Sequence, residues 1–309
     1  MTRKPLVSVI VPSYNYGHFL AETLASVRAQ TWDEWECIVV DDGSTDDTSE
    51  IALAHAQTDA RIKCVRRANG GLAAARNSGL RAATGDYVQL LDADDALEPR
   101  KLETQVGFLE RERDVGIAYG DVRYFDSVTR ERRRALYSDE DWMPKTSGSG
   151  DVVVRALLRG NIMVVNSPLV RRAVVDQVGW FDETLRSAED WDYWLRCALA
   201  RASFQYVDGA GALALVRVHQ RSMSQNRVTM YEQQSKIRKR MDRVVLGDEL
   251  YQLNRFYLAA ELAQLGSELV ARGDSLDAAR SFMKAALTHP SSRGVEGVKA
   301  ALRALLSLR

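Results

Sequence analysis

Cysteine is scarce in this chain, and Cys37, Cys64 and Cys197 have no metal-type spacing. That excludes a disulfide framework and a cysteine-built zinc site. Cys37 lies in an apolar strand-like run and Cys197 in a helical one, as inert core thiols do, and a reducing cytoplasm fits. Also missing is any uncharged apolar run near the ~20 residues a membrane span needs, so a membrane is expected to be met only at its surface. The N-terminus enters a strand-like run at once, without the apolar core of a signal peptide. Neither sign of charge predominates, since Lys+Arg and Asp+Glu both total 42, and a nucleic-acid partner is not expected. No Gly-x-Gly-x-x-Gly follows the first strand and no Gly-x-x-x-x-Gly-Lys-Ser/Thr occurs, which disfavours dinucleotide binding and P-loop chemistry. What remains is an ordinary globular composition, 46% hydrophobic and 27% charged over 309 residues. That is enough for one large domain and an appendage.

The most informative stretch runs from Tyr87 to Asp95. Its apolar half reads as a strand buried on both faces, and Asp92, Asp94 and Asp95 follow at its end. Open α/β sheets bind ligands at the carboxyl ends of their strands. Clustered carboxylates repel one another, and Asp-x-Asp is the hard-oxygen arrangement that Mg²⁺ or Mn²⁺ takes when substrate phosphates complete its shell. A solvated turn before a helix would also explain the cluster.

Upstream, Leu6 to Val11, Cys37 to Val40 and Ile62 to Arg66 read as buried strands. Each is followed by a polar or glycine-containing turn and a helix: Phe19–Gln30, Ser49–Gln57 and Leu72–Ala83. Repeated strand–helix units spell a doubly wound parallel sheet with right-handed crossovers. Asp41, Asp42, Asn69, Gly70, Asp92 and Asp94 then fall at strand ends along one crevice.

Beyond Arg100 the pattern loosens. A helix over Lys101–Arg113 and short strands over Ile117–Phe125 precede an arginine-rich polar stretch at 126–150, read as a solvated loop. Helices are expected at Val152–Leu158 and Ala173–Val178. Another begins near Glu189, with Trp191, Trp194 and Leu195 on one face. The helix macrodipole alone would account for Glu189 and Asp190 in its first turn. Strand-like runs at Phe204–Val207 and Ala212–Val218 end at His219.

Residues 231–309 are helical throughout in pattern. Tyr257–Arg272 and Leu276–His289, with Ala278 and Ala285 at contact positions, resemble one helix–turn–helix unit of tetratricopeptide type. Leu250, Phe256, Leu262, Leu269, Phe282 and Leu287 are expected to be covered, by the first domain or by a second copy in a homodimer. Val295–Leu308 reads as a basic amphipathic helix able to rest on an anionic membrane.

Six motifs, in order, resemble a known family: Val7–Asn15, Val39–Asp46, Asn69–Gly71 with Ala75–Gly79, Leu91–Asp95, Glu189-Asp190 and Val216–His219. Together they are similar to the family 2 glycosyltransferases of the GT-A fold. The resemblance covers roughly residues 5–226. It implies a Rossmann-like, mostly parallel central sheet with helices on both faces over residues 1–228, and an all-α region over 229–309. It also implies transfer of a sugar, with inversion, from a nucleotide diphosphate sugar to a hydroxyl of a glycan, lipid-linked or protein acceptor. By resemblance Pro12, Tyr14 and Asp42 meet the base, with Arg76 helping at that end, and Asp92 contacts the ribose. Asp94 holds the metal that bridges the two phosphates, His219 touches diphosphate or metal, Asp190 is the base, and Glu189 orients or binds acceptor. The Gln-x-x-Arg-Trp motif and spanning helices of the processive polymerases are lacking, so a single-sugar transferase at the cytoplasmic face, favouring a UDP-sugar, is expected. The competing classes are a sugar nucleotidyltransferase, which would need cations between Ser13 and His18, and a degenerate scaffold, which would not need Asp94, Asp190 and His219.

Overall fold

The computed structural model describes residues 4–135, 138, 140–219, 226–244 and 247–289. These residues group into two compact units. The first comprises residues up to 156, 161–184 and 189–219, and the second 157–160, 185–188 and the chain after 219.

The first unit is a mixed α/β fold. Strands β1 (Val7–Ser13) and β2 (Trp35–Asp41) are buried at every position, as β-branched runs covered on both faces should be. With β3 (Ile62–Arg66) and β4 (Tyr87–Leu90) they form a parallel core. Helices α1 (Gly17–Arg28), α2 (Thr48–Thr58) and α3 (Leu72–Ala82) connect these strands. Leu20, Leu24 and Val27 of α1 are buried, the face its spacing predicts. Gly79 lets α3 press on the sheet, because a Cβ there would stand 2.2 Å from Ile10 Cγ2.

After β5 (Ala96–Leu97) and α4 (Lys101–Arg111) come β6 (Ile117–Tyr119), β7 (Val122–Asp126), β8 (Arg132–Arg133), α5 (Asp151–Arg159) and β9 (Leu169–Arg171). Then follow α6 (Arg172–Val178), α7 (Glu189–Leu199), β10 (Phe204–Tyr206) and β11 (Ala214–Val218). Among the described residues the large sheet has the order β10-β6-β9-β4-β1-β2-β3. Strand β9 runs antiparallel to both its neighbours, β4 and β6. The central sheet is therefore mostly parallel, as the fold class read from the sequence has it. At three residues, following Pro168, β9 is too short to show a period.

A smaller sheet, β5-β11-β7-β8, was not legible as a sheet. It matters to the site, because β5 follows the Asp92–Asp95 turn directly and pairs with β11, which ends one residue before His219.

The second unit contains α8 (Arg227–Met241), α9 (Asp248–Arg272) and α10 (Ser275–Thr288). Gly273 ends α9 in the left-handed conformation, φ 86°, and the Asp274 N–H reaches back to Leu269 O at 2.9 Å, a C-capping turn that reverses the chain. Ala278 and Ala285 are buried where α10 meets α9, and Leu265, Leu269 and Phe282 pack with Ala278 and Ala279. Leu250 and Leu262 are buried as expected, but Leu287 is exposed and Phe256 only half-buried. Leu287 lies about 140° around the helix from Phe282, on the side away from α9. The basic helix read at Val295–Leu308 lies outside the described residues.

Candidate active site

The ends of β1, β2 and β4 bring the candidate residues to one edge of the sheet. Pro12 sits within a central strand, yet β4 pairs with β1 only as far as Ile10↔Leu90, so no ladder bond to β4 is lost there. Two residues on, Tyr14 is exposed. Asn15 adopts φ 57°, and its Oδ1 accepts the Thr45 N–H at 2.8 Å, tying the β1 turn to the β2 turn.

Asp42 is buried at the end of β2. Its carboxylate accepts the Gly71 N–H at 2.8 Å, the Gly70 N–H at 3.1 Å and Arg67 Nη1 at 2.9 Å. Gly71, at φ 88°, makes the turn into α3 that a side chain would resist. Asp42 thus orders the Asn69–Gly71 turn, a bond pattern that local sequence could not reveal.

The carboxylate cluster stands beyond β4. Asp94 Oδ2 lies 2.8 Å from His219 Nε2. Asp95 is buried, accepting the Arg217 N–H at 2.7 Å and the side-chain amide of Asn166. Arg217 also donates from Nε to Asp94 O at 2.6 Å and pairs with Glu22 at 2.7 Å. Its guanidinium centre is 4.5 Å from the ring centroids of both Phe19 and Phe125. Desolvation, with the charges of Asp94 and Asp92, holds the Asp95 carboxyl well above the usual carboxylate range.

Arg76, expected to help at the nucleobase end of the pocket, ties two carboxylates together. Its fully buried guanidinium joins Asp92 Oδ1, at 2.7 Å, to Glu189 Oε1. Burial alone would depress its pKa, yet Asp92 and Glu189 hold it above the usual guanidinium value. One cation thereby neutralises carboxylates from β4 and α7 that would otherwise repel.

Asp190 follows Glu189 in the first turn of α7. Ala188, just before, has φ 57°, a left-handed conformation that costs an alanine energy and sets the angle at which the acidic pair enters the helix. Asp190 Oδ2 accepts Asn161 Nδ2 at 2.9 Å and Oδ1 accepts the Trp191 N–H at 2.7 Å. Desolvation first, then the charge of Glu189, pushes its carboxyl up to about 7. Tyr124 feels both ends of the carboxylate cluster only through their charge. Burial, and then the fields of Asp95 and Asp190, raise its hydroxyl pKa.

Asp92, Asp94, Asp190, Glu189, Arg76 and His219 therefore belong to one connected set, while Asp42, Pro12 and Tyr14 line the neighbouring strand ends. Asn161, Asn166 and Arg217 escaped assignment because amides and a strand-interior arginine announce no chemistry. Among the described residues no three His, Cys, Asp or Glu side chains form a closed metal cage. The Asp94–His219 pair suits a cation that substrate oxygens complete.

A family model described as glycosyl transferase family 2 matches residues 8–174, more than half of the chain. The chain belongs to this family. The matched span includes Asp42, Arg76, Asp92 and Asp94 but ends before Glu189, Asp190 and His219. Within the family's relatives, an uncharacterized glycosyltransferase of Rickettsia typhi is 32% identical over 71% of this chain and 65% of its own length. The chain thus spans a little under two thirds of that relative. Among solved structures, Staphylococcus aureus TarS residues 1–349 in complex with UDP-GlcNAc superposes with a TM-score of 0.70 at 19% identity, covering 98% of this chain and 92% of that one. The mannosyltransferase PcManGT of Pyrobaculum calidifontis, in complex with GDP-Man and Mn²⁺, gives 0.60 at 21% identity, covering 98% and 86%. At these identities the likeness establishes the GT-A type of fold.

Proposed function

We propose that this protein transfers a single sugar, with inversion, from a nucleotide diphosphate sugar to a hydroxyl of a glycan, lipid-linked or protein-linked acceptor in bacterial surface-glycan synthesis. The observation that carries the reading is Asp190: a desolvated carboxylate with its pKa up to about 7, held by Asn161, joined through Glu189 and Arg76 to Asp92. A positioned carboxylate with a pKa near neutrality suits a general base.

The acceptor hydroxyl gives its proton to Asp190 while its oxygen bonds to the anomeric carbon. The bond from that carbon to the diphosphate breaks on the opposite face, and its electron pair leaves with the diphosphate. Asn161 and the Trp191 N–H fix the carboxylate for that transfer. Glu189, held by Arg76, orients the acceptor, and Asp92 reaches the ribose. Pro12, Tyr14 and Asp42 form the wall against which the base is placed. Asp94 and His219 would hold a divalent cation, completed by diphosphate oxygens, that neutralises charge on the leaving group. An imidazole beside a carboxylate favours Mn²⁺ over Mg²⁺.

UDP is the favoured nucleotide, supported by the TarS complex, and GDP is the second reading, supported by the mannosyltransferase complex. No helix of the described residues is long and apolar enough to cross a membrane. A cytoplasmic-face enzyme meeting a lipid-linked acceptor at the membrane surface is consistent with that. Thermal shift with UDP, dTDP and GDP sugars, with and without Mn²⁺, tests the proposal. A UDP-sugar should raise Tm most, and more with metal than without; no shift from any of them would overturn the reading.

A further inference from the structure

Behind the carboxylate cluster is a buried lysine without a carboxylate partner among its hydrogen bonds. Lys101 Nζ donates to Gln89 Oε1 at 2.8 Å, Gln105 Oε1 at 2.7 Å and Ser167 O at 2.9 Å, and its side chain is almost wholly excluded from solvent. Isolating an ammonium this way is costly, and burial pulls its pKa well below the ordinary lysine value.

An ammonium can only donate, so it dictates which end of each neighbouring amide faces it. Gln89 must present its oxygen to Lys101, which leaves Nε2 to donate to Asn166 O at 2.8 Å and Leu90 O at 2.6 Å. Gln105 likewise presents Oε1 and donates from Nε2 to Ser167 O at 2.9 Å. Asn166 is thereby gripped along its backbone from behind. Its side chain points the other way: Oδ1 accepts the Asp92 N–H at 2.9 Å, and Nδ2 donates to Asp95 Oδ2. One buried amide thus spans both ends of the turn that carries Asp94.

We propose that Asn166 is the positioning residue of the Asp92–Asp95 turn, and that Lys101 fixes its orientation through Gln89 and Ser167. The proposal rests on the nucleotide–metal reading of Asp94 given above and adds to it a residue that touches neither nucleotide nor metal. Partners of this kind, one shell out from a metal-binding side chain, typically change metal affinity about 10–100-fold when removed.

Asn166→Ala, Asn166→Asp and Lys101→Met are compared with the full chain by hydrogen exchange across residues 90–96 and by calorimetry with UDP, with and without Mn²⁺. In Asn166→Ala the Asp92 amide should exchange about tenfold faster or more, and Mn²⁺-dependent UDP affinity should fall about tenfold, a larger loss than that of metal-free UDP affinity, in which only the Asp92 contact to the ribose is disturbed. Asn166→Asp keeps the oxygen that accepts from Asp92 but sets a carboxylate against Asp95. Protection at Asp92 should therefore survive while Mn²⁺-dependent affinity still falls. Lys101→Met should reproduce Asn166→Ala in milder form. Unchanged exchange and affinity in Asn166→Ala would overturn the proposal, as would equal losses of metal-free and metal-dependent binding, which a merely loosened fold would give. Should Asn166→Ala not fold, the split between exchange and affinity in Asn166→Asp decides. A wild-type protein that binds no UDP with Mn²⁺ would count against the functional reading alone, and exchange at Asp92 would still test the placement of Asn166.

Discussion

Asp94 Oδ2 and His219 Nε2 lie 2.8 Å apart although 125 positions separate them in the chain. Strand β5 brings this about. It leaves the carboxylate turn and pairs with β11, so the end of the smaller sheet delivers the histidine to the end of the larger one. Asp94 is only partly buried, so the cation proposed to sit between it and His219 could reach its carboxylate.

Asp94→Asn should therefore keep the fold and lose Mn²⁺-dependent binding of UDP. In wild type, UDP at a hundredfold excess over Kd adds about 2.7 kcal/mol of stability, and the variant should show almost none of it. Equal Mn²⁺-dependent shifts in both proteins would place the metal elsewhere.

Asp190→Asn separates chemistry from stability. The folded state raises this carboxyl from 3.8 to about 7, so it binds the proton more tightly than the unfolded chain does. Its contribution to stability is present below pH 3.8 and is lost as pH rises towards about 7. The neutral amide removes that loss. Asp190→Asn should melt no lower than wild type at pH 5 and higher at pH 8, while turnover falls by about 10² or more. In wild type, kcat/KM should rise with pH through about 7 and level off. A flat profile, or near-normal turnover of the variant, would pass the role of base to Glu189.

Arg76→Met should be the most damaging of the site substitutions. It leaves Asp92 and Glu189 facing each other without their shared cation, and breaking a buried pair in this way costs about 3–5 kcal/mol. Adding Glu189→Gln removes one of the stranded charges and should recover part of the loss in denaturant unfolding. If the double variant is no more stable than the single one, the two residues are not coupled.

The strands and helices of the first ninety residues were legible because each is long enough to show its period and each ends in a turn of distinctive residues. Ile62–Arg66, for instance, has the same limits in sequence and structure. What stayed hidden is what depends on distant partners. The three residues of β9 carry no period, and the two of β5 still less. Asn166 and Asn161 look like any loop amides until Asp92, Asp95 and Asp190 are brought to them. Arg76 was readable as part of a motif, but its choice of Asp92 and Glu189 depends on α7, over a hundred positions away. Leu287, read as covered by the first domain or by a second copy, is exposed in the single chain.

In the second unit, packing between α9 and α10 depends on one missing side chain. A Cβ at Gly266 would stand 2.8 Å from the Phe282 ring, closer than carbon atoms come without displacement. Elsewhere in a helix, Gly→Ala gains up to about 1 kcal/mol from backbone entropy. Here the ring must move, and overpacking of a fitted contact typically costs about 1–3 kcal/mol. Gly266→Ala should therefore be neutral to destabilising despite its better helix propensity. In a Phe282→Leu background, where the ring is gone, the same substitution should stabilise. The sign change between the two backgrounds, read as a shift in denaturant midpoint, is the measurement; stabilisation of equal size in both would show that the helices do not meet at Gly266.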